Sequence, residues 1–154
     1  MSMPLQSNKV VVAVHPQSVT YGATVTSKTV DALNAGCVSI FLSAAGATTS
    51  AVPIQIRVQH ADTDAATSYA SITGYTANTS SSGYPSAIQS TAATSTTVFG
   101  AFHLDMRGKK RYVRVLVDGP ATDSCLISAV AVVSRNSPSQ SGTNTGAAFV
   151  VVPS

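Results

Sequence analysis

The sequence predicts an all-β domain, a sandwich or barrel of about eight strands, and three observations carry that expectation. The 154 residues include no Glu and no Trp, whereas 22 Ser, 18 Thr and 22 Ala together supply 62 of them. Long unbranched side chains that favour exposed helix are therefore scarce, while the Val and Thr that suit a pleated surface are abundant. Apolar residues alternate or run in short blocks punctuated by turn residues, which is the spacing of sandwich or barrel strands. With 44% apolar residues, a chain of this length can bury one core without a disulfide or a metal to hold it.

Taken in order, "NKVVVAVH" (8–15) is a Val-rich strand ended by Pro16, and "SVTYGATVTS" (18–27) alternates as a second. "TSKTVDALNAG" (26–36) is the one stretch that could hold a short helical turn. "GCVSIFLSA" (36–44) is apolar nearly throughout, as befits a central strand covered on both sides. In "AVPIQIRVQHA" (51–61), Val52, Ile54, Ile56 and Val58 point one way and Gln55, Arg57 and Gln59 the other, with Pro53 at the strand entrance or on an edge. "SYASITGY" (68–75) follows, and then an uncharged loop (76–95) longer than a compact domain needs for a connection, which implies a partner or a surface feature. The remaining strands are "TTVFGAFHLDM" (96–106), "KRYVRVLVD" (110–118) and "SCLISAVAVVSR" (124–135).

Charge is sparse, with nine Lys and Arg against six Asp, and none of these between Ala65 and Leu104. A surface kept soluble by hydroxyls suits a protein committed to partners or to an exposed setting. The formal charge of +3 is too small and too local to argue for nucleic acid. Cys37 and Cys125 each lie in an apolar run without metal-ligand spacing and read as two buried thiols. The N-terminus has no export-signal pattern, and no apolar run reaches the ~18 residues of a membrane span.

Five of the nine basic residues cluster in "LDMRGKKRYVRVLVD" (104–118). Aligned on Gly108, the flanks read as two arms of one hairpin, with Arg107, Lys109 and Lys110 at a solvated tip. On the descending arm Val113, Val115 and Val117 face the core, and Arg114 faces outward beside Tyr112. Nucleic acid would need a longer basic stripe with aromatic platforms. The cluster, Arg107, Lys109, Lys110, Arg111 and Arg114, is thus either a hairpin rim or a docking contact for an acidic patch on a protein partner.

"HADTD" (60–64) has too few carboxylates and no shaping Gly for calcium and reads as a polar turn. His103 and Asp105 read as an outward pair on one strand face. No nucleophile elbow, phosphate loop, paired Glu or Cys/His cluster is present, so neither an enzyme nor a cofactor or metal site is expected. The last residues pair a Ser, Gly, Asn and Thr tract with "AAFVVV" (147–152). Phe149, Val150, Val151 and Val152 are the expected anchor, adding a strand to a sheet edge either of a neighbouring subunit or partner lattice or of the same domain.

Laid out in this way, the chain resembles the small jelly-roll decoration, or cement, proteins of tailed-bacteriophage capsids. The resemblance is one of layout over about residues 30–135, "VDALNAGCVSIFLSAAGATTSAVPIQIRVQHADT", a Ser/Thr-rich loop, then "FHLDMRGKKRYVRVLVD" and "LISAVAVVSR". Its most recognisable points are Asp105, Arg107, Gly108, Arg111 and Tyr112. It implies an antiparallel jelly-roll sandwich (9–135) with an extended N-terminal arm (1–8) and C-terminal arm (136–154). It further implies a virion structural protein on the outer capsid surface, bound to the major capsid protein as a homotrimer at threefold positions. Two other functions compete: a glycan-binding sandwich for host adhesion, with Tyr69, Tyr75 and Tyr84 around the long loop as stacking platforms, and a tail or neck subunit of a virion.

Overall fold

A computed structural model describes residues 8–46, 53–78, 86–87, 97–135 and 149–151. The chain order is β1 (Asn8–Thr20), β2 (Thr24–Thr26), β3 (Val30–Asp31), β4 (Cys37–Gly46), β5 (Pro53–Ala61), β6 (Ala70–Asn78), β7 (Ser86–Ala87), β8 (Thr97–Asp105), β9 (Tyr112–Pro120), β10 (Ser124–Ser134) and β11 (Phe149–Val151). One sheet runs β1-β10-β4-β8-β11 and the other β2-β9-β5-β6-β7, with β3 also on β9. The main strands of each sheet are antiparallel, and β7 and β11 add short parallel ladders to β6 and β8. This interleaving of strands distant in sequence is a jelly roll, an eight-stranded double sheet extended by short edge pieces. Among the described residues, β5 with β6 is the single antiparallel pair formed by consecutive strands.

The core lies between the sheets. Ile40 and Leu42 of β4, Ile127 of β10, and Phe102 and Leu104 of β8 meet Ile56 and Val58 of β5 and Val113, Val115 and Val117 of β9. The period-two alternation in β5 and β9 is what puts these side chains on one face. Ile54 shares the parity of Ile56 but stands at the strand entrance, where it stays exposed.

Three expectations are corrected. The 96–106 and 110–118 runs are not a hairpin: β8 belongs to the first sheet and β9 to the second, so the link between them crosses the end of the sandwich. Gly108 does take a positive φ of 71°, and the Lys109 N–H closes the turn on the Met106 carbonyl at 3.0 Å. A tight turn thus fits both topologies, and the burial of two faces, which no local signal records, selects the crossing. Pro16 does not end its strand either. β1 continues to Thr20 because it is an edge strand and Pro16 sits within a bulge, where residues between Val14 and Gln17 leave the ladder. Residues 26–36 form no helical turn. Val30 and Asp31 pair with Val113 and Tyr112 of β9, and Asn34, at φ 60°, turns the chain into β4.

Candidate functional site

The basic stretch is positioned by the link between β8 and β9, and the sandwich brings a carboxylate to most of its cations. Arg111 donates from Nε and a terminal nitrogen to the two oxygens of Asp31 at 2.9 and 2.7 Å. That fork holds the Asp31 carboxyl down at about 2. Arg107 folds back on Asp105, Nε to Oδ2 at 2.7 Å, with a second, very short contact from the same guanidinium. Lys110 pairs with Asp62 at 2.8 Å, and its backbone N–H donates to His60 Nδ1 at 3.2 Å. Burial, then the nearby Lys110 and Lys109, pushes the His60 imidazole below its ordinary value. His60 thus stands at the end of β5, paired with Val113 and Ala70, and Asp62 and Asp64 lie in the polar bend that follows it.

Arg114 lies on the outer face of the second sheet, as its parity predicts. Its guanidinium stacks 3.8 Å above the Tyr69 ring and donates to Gln59 at 2.9 Å. Tyr69 and Thr29 both donate to Asp64, at 2.8 and 2.6 Å. On the same face Arg57 meets Asp118 at 3.0 Å, and Thr24 donates to the same carboxylate. The charges of this face are thus engaged in two polar groups, Arg57 with Asp118 and Thr24, and Arg114 and Asp64 with Gln59, Tyr69 and Thr29, while Arg57 Nε has no partner among the described residues. The Arg107 side chain stays 80% exposed and that of Arg111 41%, so the cluster remains within reach of a partner although its charge is largely compensated.

His103 is not an outward, solvated neighbour of Asp105. It is 1% exposed, its Nδ1 lies 2.9 Å from Ser39 Oγ, and Phe41 covers it edge-on at 5.8 Å. Outward parity did not mean exposure here, because β8 is flanked by β4 and β11 and an aromatic ring closes over the pair. Asp105 instead faces Arg107, and Cys37 Sγ lies 3.6 Å beyond Ser39 Oγ. His103 Nε2 has no hydrogen-bond partner among the described residues, and burial pushes the imidazole below its ordinary value. Among those residues no three His, Cys, Asp or Glu side chains group as metal ligands.

The feature that sequence reasoning missed is the outer face of the first sheet. In register, Val12 of β1 stands beside Val130 of β10, Val130 beside Phe41 of β4, and Phe41 beside Ala101 of β8, giving one apolar row across four strands. Val10 pairs with Val132 in the adjacent row, and Phe41 stacks on Phe99 with centroids 6.4 Å apart. Val10 is 66% exposed, Leu126 61%, Val12 43% and Phe99 40%. By alternation, the outward side chains of β10, β4 and β8 include one carboxylate, Asp105 at a corner, and no Lys or Arg. The signal was present in "SCLISAVAVVSR" and "NKVVVAVH", which are apolar at both parities. The expectation of cover on both sides concerned 36–44 alone; the outer side is open at Val10, Val12, Leu126, Val130 and Phe99, whereas Ser39, Ala101 and His103 on that side are buried.

The remaining assignments fall as follows. Tyr75 is 6% exposed within the core cluster and cannot serve as a stacking platform, and the Tyr69 ring is occupied by Arg114. Tyr84, Val152 and the N-terminal arm up to Ser7 lie outside the described residues. Phe149, Val150 and Val151 form β11, in parallel register with Gly100, Ala101 and Phe102 of the same chain. The two thiols are free and buried, and burial raises both. Cys125 pairs with Gly46 and Cys37 with Ser134, at opposite ends of the β4 and β10 ladder, so nine residues, ~30 Å of strand, keep them from bonding. Compared with models of known protein families and with curated proteins, the chain matches none.

Proposed function

We propose that the chain is a structural subunit of a virion, a decoration protein that seats as a homotrimer on the outer surface of an assembled phage capsid and binds its major capsid protein. The observation that carries this reading is the two-faced sandwich. One outer face closes its charges among themselves, while the other presents a nearly charge-free row of Val, Leu and Phe to solvent. Contiguous exposed apolar patches on a soluble domain mark protein interaction sites. An apolar sheet face spread over several strands suits a subunit packed against like subunits or a lattice rather than a small ligand. Jelly rolls are frequent in viral capsid proteins, and that likeness of fold supports the class by analogy. The hydroxyl-rich, charge-poor surface agrees with it.

The mechanism is mechanical. A subunit that binds only the assembled shell stabilises it by mass action, and three linked contacts convert weak docking into firm seating. The test is co-sedimentation of the purified chain with undecorated, expanded phage heads. Saturation at three copies per threefold position, abolished by Leu126→Lys with Val130→Lys, is the expected result. A chain that leaves the heads bare at every concentration overturns the reading.

A further inference from the structure

At the end of the sandwich where β1 begins and β10 finishes, a cavity of about 250 Å³ opens between Asn8, Lys9, Asp31, Leu33, Asn34, Ala35, Val133, Ser134 and Arg135. We propose that this cavity is a binding site for an acidic peptide segment of a partner protein, with Lys9 and Arg135 as the carboxylate-reading cations. The inference stands on the cavity alone and not on the capsid reading.

Charge comes first. Elsewhere in the domain Arg57, Arg107, Lys110 and Arg111 each have their own carboxylate, while Lys28, Lys109 and Arg114 form no ion pair among the described residues and do not line this cavity. Lys9 and Arg135, which line one cavity from neighbouring strands, form no ion pair among the described residues. The single carboxylate in the wall, Asp31, has both oxygens taken by Arg111 and accepts from the Leu33 N–H at 3.0 Å as well. An incoming anion therefore meets two cations without a direct carboxylate partner among the described residues, Lys9 lying within electrostatic reach of Asp31, whose own charge Arg111 already balances.

Shape and chemistry select the ligand class. The volume lies below the ~300–1,000 Å³ of small-molecule sites, so it suits one or two side chains of a larger partner. Leu33 stands 58% exposed at the rim and Val133 forms apolar floor, which gives the aliphatic part of a peptide a place beside its carboxylate. Asn8 and Asn34 supply amide donors. A nucleic acid would need a track of cations rather than two. The backbone of the wall is braced before binding by the Gly36 N–H to Ser134 O at 2.8 Å and the Ala35 N–H to Ala32 O at 3.0 Å, so the ordering cost falls on the exposed side chains of Lys9 and Arg135.

The experiment is fluorescence anisotropy of the full chain with a dye-labelled pool of octapeptides built from Asp, Glu and Leu, a matched pool of Asn, Gln and Leu, and an oligothymidylate as competitor. The expected result is binding of the acidic pool alone, weakened severalfold by Arg135→Gln and at least tenfold by Lys9→Gln with Arg135→Gln, and unchanged by Lys28→Gln. Thermal melts confirm that each variant folds. Equal binding of the amide pool, equal loss with Lys28→Gln, or displacement of the peptide by the oligothymidylate at matched charge would each overturn the proposal. So would no binding of the acidic pool at low salt.

Discussion

Arg111 and Asp31, 80 residues apart in sequence, form a two-pronged ion pair that ties the β8 to β9 link to β3. It shows what the crowded basic stretch does inside the domain: it fastens one end of the sandwich. The Asp31 carboxyl sits at about 2 against an ordinary 3.8, chiefly through the Arg111 hydrogen bonds. A depressed carboxylate stabilises the fold above its unfolded value, and that contribution is lost as pH falls from 3.8 toward about 2. In Arg111→Gln the Asp31 carboxyl is expected to titrate near its ordinary value by carbon NMR, and the acid limb of the stability curve becomes shallower. An unchanged Asp31 titration would rule the pair out as the cause.

His103 predicts a second pH dependence at milder acidity. Burial lowers its imidazole below the ordinary 6.5, so the unfolded chain binds the extra proton first. Stability is then full above pH 6.5 and declines as pH falls below it. His60, also depressed, adds to the same slope. Urea unfolding of His103→Leu across this range should give a smaller slope than the parent chain. Ser39→Ala should keep the slope, since Ser39 binds the ring without titrating.

Tyr75 should behave as core. Tyr75→Ala opens a cavity beneath β6 and is expected to cost about 3 kcal/mol or more in chemical denaturation. Full stability of the variant would mean that the ring is not packed where it stands.

Gly119 is required for want of space. A Cβ there would lie 2.5 Å from the Thr20 carbonyl oxygen and 2.9 Å from that of Ala23, both backbone atoms that cannot swing aside. The Gly119 N–H already donates to Ala23 O at 2.7 Å, which holds the two segments together. Gly119→Ala is expected to cost roughly 1–3 kcal/mol, seen as a lower denaturation midpoint at an unchanged slope.

The apolar face should govern association and leave folding alone. Leu126→Lys with Val130→Lys places two charges on an exposed surface, where substitutions usually stay within about 0.5 kcal/mol each. On the proposed trimer, light scattering should report a drop in mass to the single chain, with the thermal midpoint nearly unmoved. Equal masses for the two proteins would remove this face from the assembly contact.

By itself the sequence determined the all-β class, the position of most strands, the inward Val113, Val115 and Val117, the outward Arg114 and the turn at Gly108. Each rests on a local rule, alternation at period two or a backbone angle that glycine tolerates, and local rules can be read from neighbouring letters. Only the tertiary structure decided which strands meet. The apparent hairpin at Gly108 became a crossing between sheets, because the pairing of β9 with β5 and of β8 with β4 buries two faces at once and the turn is indifferent to the choice. Parity told the side of the sheet on which His103 lies but not that Phe41 covers it, and nothing in the sequence singled out Val12, Val130 and Phe41 as one outward row. Register between strands more than 80 residues apart joins those side chains, and register is a property of the assembled sheet, set by the burial of every strand together.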